Sequence, residues 1–143
     1  MGYRFIENLS IADVAFEAHG ENLNELFVSS AEALENTMVR NIEKVKPETT
    51  REFGVSSNKL DLLLVEFLQK LISYKDTDQL IFSKFTVNVK EIKNDWRVRC
   101  RAEGEHLDPN KHDLVVDVKA ATMHMLKVQK KDEEWTARVV LDV

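Results

Sequence analysis

The end of this sequence places several negative groups close together. In residues 135–143, Trp135, Ala137, Val139 and Leu141 alternate onto one face of a strand, so Asp142 lies on the other, beside the main-chain carboxylate of Val143. Near the opposite end, residues 12–19 alternate in the same way. Val14, Phe16 and Ala18 share an apolar face, and Asp13, Glu17 and His19 point away from it. If these two strands are neighbours, Asp13, Asp142 and the carboxylate of Val143 converge, and such an oxygen donor set suits a hard divalent cation. Solvated strand-end acids would show the same spacing, and spacing alone favours them. Lys119, in Val118-Lys119-Ala120-Ala121, could pair with those carboxylates or meet a phosphate as a point charge. As an ordinary outward-facing strand lysine it needs no further role.

The remaining candidates carry weaker signals. His112 and His124 lie in or near the segment that holds Lys119, where a histidine is more often a hydrogen-bonded structural residue than a metal ligand. His19 and His106 give less reason still. Arg97, Arg99 and Arg101 form a basic row on one strand face, which could touch RNA or simply pair with acids on adjacent strands. There is no glycine-rich phosphate loop, no Gly-x-Ser-x-Gly elbow and no Cys/His pair in the setting of a nucleophile.

Two helices and several strands must position these groups. Asn22 can cap a helix over 23–38, with Glu25 as the reciprocal acceptor and Leu26, Phe27, Ala31, Leu34 and Met38 on one face. Ser57 or Asn58 can cap a second helix over 59–74. Its wide stripe of Leu60, Leu63, Leu64, Phe67, Leu68 and Leu71 should pack flat on a sheet. Strands are expected over 3–6, 51–55 as an edge, 85–89 and 96–102, with Lys93-Asn94-Asp95 as a turn. Residues 104–113 read as a loop and 114–129 as a long strand region. A turn over 130–134 leads into the last strand. The fold class expected is α+β, one domain over 1–143 with two helices on one face of a largely antiparallel sheet.

Composition bounds the function. At 143 residues and 43% hydrophobic, the chain is long enough for one domain with a real core. Its single cysteine, Cys100, excludes an internal disulfide and fits a reducing, cytoplasmic setting. Acidic residues interrupt any apolar leader in 1–20, and the most apolar stretch, 60–72, is too short to span a bilayer. The net charge of −5 argues against a general nucleic-acid-binding surface and for a basic or metal-containing partner.

Four fragments in order resemble the archease family along almost the whole chain. They are Ala12-Asp13-Val14 with Gly20 and the helix containing Leu26-Phe27; Leu62-Leu63-Leu64-Val65-Glu66-Phe67-Leu68; Gly104-Glu105 through Asp108, His112, Val118-Lys119-Ala120, Thr122 and His124; and Trp135 through Leu141-Asp142-Val143. The resemblance implies an accessory protein, without turnover of its own, for the tRNA-splicing RNA ligase. That ligase joins 3′-phosphate or 2′,3′-cyclic phosphate ends to 5′-hydroxyl ends. The accessory protein promotes guanylylation of the ligase histidine and multiple turnover, and the GTP is used by the ligase. Carried onto this chain, Asp13, Asp142 and Val143 would hold a divalent ion of calcium type, and Lys119 would support them. His112 and His124 remain supporting candidates, and any RNA contact is indirect or minor. One departure stands out: the family opening Asp-His-Thr-Ala-Asp is here Leu9-Ser10-Ile11-Ala12-Asp13, which keeps the second acid and loses the first. Two other readings stand beside this one, a small metal-dependent phosphoester hydrolase and a chaperone-like interaction module.

Overall fold

A computed structural model describes residues 1–6 and 13–143. Its strands are β1 (Gly2–Ile6), β2 (Asp13–Gly20), β3 (Thr49–Ser57), β4 (Leu80–Ile92), β5 (Asp95–His106), β6 (Ala120–Lys131) and β7 (Glu134–Asp142). The helices are α1 (Leu23–Met38) and α2 (Leu60–Asp78), with a short 3-10 turn at Ile42–Lys44. Every pairing between strands is antiparallel. The antiparallel sheet expected from the sequence is divided into two, a four-stranded one ordered β1-β2-β7-β6 and a three-stranded one ordered β3-β5-β4.

Each helix packs on both sheets: α1 against β2 and β4, α2 against β3 and β6. One continuous core results, in which Phe16, Phe27, Phe67, Phe82, Leu34 and Leu68 are fully buried. Transfer of such side chains from water stabilises the fold by roughly 1.5–3 kcal/mol each.

α1 begins at the predicted cap, Asn22, with the reciprocal bond of Glu25 falling one residue earlier than a capping box places it. Asn22 Oδ1 accepts the Glu25 N–H at 2.9 Å, and Glu25 Oε1 accepts the Glu21 N–H at 3.3 Å. α2 differs at both ends. Ser57 still belongs to β3, and Lys59 occupies the cap position with no side-chain bond. Asp61 Oδ1 instead accepts the Leu62 N–H at 2.7 Å. The helix runs to Asp78 and ends at Gln79, whose φ of 54° is left-handed and whose N–H reaches the Tyr74 carbonyl.

The expected strand over 114–129 also changes. Residues 114–119 make only one isolated bridge, Leu114 to Val39, and the ladder begins at Ala120. This stretch carries the chain from the smaller sheet to the larger, so no neighbouring strand continues alongside it. β5, in turn, runs to His106 and takes up the start of the expected loop. At Gly104 the backbone of β4 comes so close that a Cβ would lie 1.8 Å from the Ile81 carbonyl oxygen. Among the described residues, no helix is long and apolar enough to cross a membrane.

Candidate functional site

The register of β2 against β7 decides the geometry of the acidic end. Phe16 pairs with Val139, Ala18 with Ala137 and Val14 with Leu141. Phe16, Ala18, Ala137, Val139 and Leu141 are buried. A slip of one residue would turn that whole row outward, so the buried face enforces the pairing. The same register sets Asp13 directly opposite Asp142 on the other face. Directly paired residues hold their Cβ atoms about 4.5–5.5 Å apart, and like charges there repel.

A third segment joins from the far side of β7. Ala120 pairs with Asp142, and the Lys119 N–H donates to the Asp142 carbonyl at 2.8 Å. Lys119 is exposed, whereas Asp13, Asp142 and Val143 are half-buried. The Val143 side chain packs against the core and holds the end of β7 down. The structure therefore brings together Asp13, Asp142, Val143 and Lys119. Among the described residues, no three His, Cys, Asp or Glu side chains form a group able to hold a metal. A cation here would rest on the side-chain carboxylates of Asp13 and Asp142. That all-oxygen set is of the kind hard cations take. Leu9 and Ser10, at the altered opening, lie outside the described residues.

The two histidines fall elsewhere. His112 is buried in a cluster beyond β5: its Nδ1 accepts the Asp108 N–H at 2.9 Å, which leaves Nε2 to donate to Glu105 Oε2 at 3.0 Å. Lys111 Nζ reaches Glu105 Oε1 at 2.5 Å, and the Lys46 N–H reaches Oε2 at 2.8 Å. Burial alone would raise the Glu105 carboxyl, but these three donors and the Lys111 charge outweigh it and hold it down at about 2. His112 is thus a structural donor with both ring nitrogens engaged. His124 is exposed on an irregular stretch of β6 between Thr122 and Lys127, where Met125 has a φ of 54°. That stretch places Met125 beside a hollow of about 250 Å³ on the face that bears Asp13 and Asp142, lined also by Ala15, Glu17, Arg138 and Val140.

Sequence reasoning missed the buried charges. Lys75 Nζ donates to Asp117 Oδ1 at 2.6 Å and to the Val118 carbonyl at 2.7 Å, and it pairs with Asp76 at 2.5 Å. Burial would lower the Lys75 ammonium, yet the bonds and charges of Asp117 and Asp76 keep it raised. Glu35 is fully enclosed, with Oε1 accepting the Phe82 N–H at 3.0 Å and Oε2 unpartnered. Desolvation pushes its carboxyl up to about 8, against the opposing pull of that bond and of Lys75. Both had a visible signal, since Lys75 continues the Leu68, Leu71, Ile72 stripe and Glu35 sits between Ala31 and Met38 on the apolar face of α1. Cys100 is buried, and its thiol is pushed up to about 12, which makes it a packing residue and not a nucleophile.

The family model described as the Archease protein family matches residues 3–143. The chain is 36% identical over 141 residues to a protein archease of Sulfurisphaera tokodaii, covering 99% of this chain and 98% of that one. It is 35% identical over 133 residues to a protein archease of Pyrococcus abyssi, covering 92% and 93%. The solution structure of Methanobacterium thermoautotrophicum protein 1598 superposes with a TM-score of 0.86 at 31% identity, over 99% of each chain. A Thermotoga maritima archease described as a possible chaperone shares the fold, with a TM-score of 0.59 at 17% identity over 98% of each chain. With a family match across nearly every residue, close relatives of equal length and the same two-sheet, two-helix architecture, the chain belongs to the archease family.

Proposed function

We propose that this protein is a non-catalytic, cytoplasmic activator of a tRNA-splicing RNA ligase that works through the acidic end of its larger sheet. The observation carrying this reading is the direct pairing of Asp13 with Asp142, next to Val143 and Lys119. Two carboxylates held opposite each other by a buried register form a rigid oxygen pair, and rigidity is what positions a ligand reproducibly. A divalent ion bound there would neutralise phosphate oxygens at the nucleotide of the partner. The chain itself contributes the carboxylates that hold the ion, a lysine beside them and a fixed approach angle. GTP and the histidine it modifies belong to the ligase.

The test is guanylylation and multiple-turnover ligation by a cognate ligase, with and without this protein and with Asp13→Ala. Stimulation by the wild type and its loss in the variant would support the acidic site. Stimulation that survives in the variant would move the mechanism to another surface. No stimulation by the wild type would remove the ligase reading.

A second reading, a chaperone-like binder, draws on a separate observation. Leu114, Val115 and Val116 are exposed in sequence, and Met123 and Met125 are exposed on β6. Metal-insensitive suppression of aggregation of unrelated proteins would favour it over the ligase role.

A further inference from the structure

The outer face of the three-stranded sheet is unlike the rest of this acidic molecule. The register of β5 with its neighbours sets Arg97 opposite Lys90 and Ser56, Arg99 opposite Asn88 and Gly54, and Arg101 opposite Thr86 and Glu52. Lys84 lies beyond, opposite Glu103. All the arginines, lysines and neutral residues of this face are exposed. Arg101 pairs with Glu52 at 3.7 Å and Glu103 at 3.5 Å. Arg97, Arg99, Lys84 and Lys90 have no ion-pair partner among the described residues. In a chain of net charge −5, four unneutralised cations gathered on one sheet face are a local reversal of sign.

We infer that this face binds the phosphodiester backbone of a single-stranded polynucleotide. Alternate residues of one strand stand about 6.8 Å apart, so the three arginines make a straight row that successive phosphates of an extended strand can follow. Ser56, Thr86 and Asn88 interleave neutral donors with the cations, and hydroxyl and amide side chains are common phosphate contacts. Shallow hollows of about 370 and 320 Å³ flank Arg99, one along Thr86 and Asn88 and the other along Gly54 and Ser56. At Gly54, opposite Arg99, the neighbouring strand puts no side chain beside the row. The aromatic residue of β5, Trp96, alternates to the other face, where it packs on the core. With no ring on the face among the described residues to stack a base, recognition is of backbone and not of sequence. An acidic protein surface would meet the same charges, but it has no reason to match a straight row of evenly spaced cations.

The experiment is fluorescence anisotropy of a labelled single-stranded RNA oligonucleotide with the full chain, across a salt series. Wild type should bind with log K falling against log salt at a slope of about −2 to −3, as expected for three or four single-strand phosphate contacts. Arg97→Gln/Arg99→Gln should weaken binding at least tenfold. Lys130→Gln/Lys131→Gln, which removes the same charge from the exposed end of β6, should leave it nearly unchanged. Melting curves of both variants establish that they are folded. Absence of binding at low salt, or equal weakening by the two variants, would overturn the inference. Equal competition by polyglutamate would also overturn it, in favour of an acidic protein partner.

Discussion

The β2–β7 register sets Asp13 and Asp142 opposite each other, an arrangement in which like charges are unfavourable. Removing one charge should therefore cost the metal-free protein little. In millimolar calcium the wild type should melt several degrees higher, through preferential binding to the folded state, and Asp142→Asn should lose that rise. An equal rise in both would place the cation elsewhere. Glu35 has the opposite character. Its folded value of about 8 lies above the ordinary carboxylate value of 4.5, so between those limits the unfolded chain gives up a proton that the folded protein keeps. Stability should fall as pH rises through that window and level off above it. Glu35→Gln should flatten this slope, as read from urea midpoints at pH 5 and pH 8.5. Glu105 shows the reverse sign, since its folded value of about 2 lies below 4.5. Its contribution is complete above pH 4.5 and is lost as pH falls toward 2. Glu105→Gln should cost about 1–3 kcal/mol at pH 7, by leaving buried donors short of a charged acceptor. The gap to wild type should close in acid.

Residues 114–119 form the element that links the helical core to the acidic end. They lack a ladder of their own, and Lys75 ties them to α2 through Asp117 and the Val118 carbonyl. The next residue, Lys119, donates its N–H to Asp142. Lys75→Met should free this stretch, and amide exchange at Val118 and Lys119 should speed up while α1 remains protected. Unchanged exchange there would show that packing alone holds the segment. The close approach of β4 to β5 gives a second element-scale expectation. Because a methyl group at Gly104 would meet the Ile81 backbone, which cannot rotate away, Gly104→Ala should destabilise by about 1–3 kcal/mol or more. A chemical denaturation curve measures it directly.

At the scale of the whole molecule, charge and apolar surface are sorted onto different faces. The acidic pair lies at one end of the larger sheet and the unneutralised arginines on the outer face of the smaller. The exposed valines 115 and 116 follow the strand bridge at Leu114. Such segregation suits a protein that meets a large partner on more than one surface.

Alternation and helical periodicity were enough to read α1, the antiparallel β4–β5 and β6–β7 hairpins and the apolar faces of β2 and β7. Those patterns are local consequences of which side chains must leave water. The same alternation put Asp13 and Asp142 on polar faces, and family resemblance named them as a site. Their meeting was a tertiary decision, since only the pairing of the second strand with the last brings residues at opposite ends of the chain together. The division into two sheets, the burial of Glu35 and Lys75 and the capture of His112 by Glu105 were decided at that level too. In each case the deciding quantity was what a residue packs against across the core, and no spacing along the chain encodes that distance.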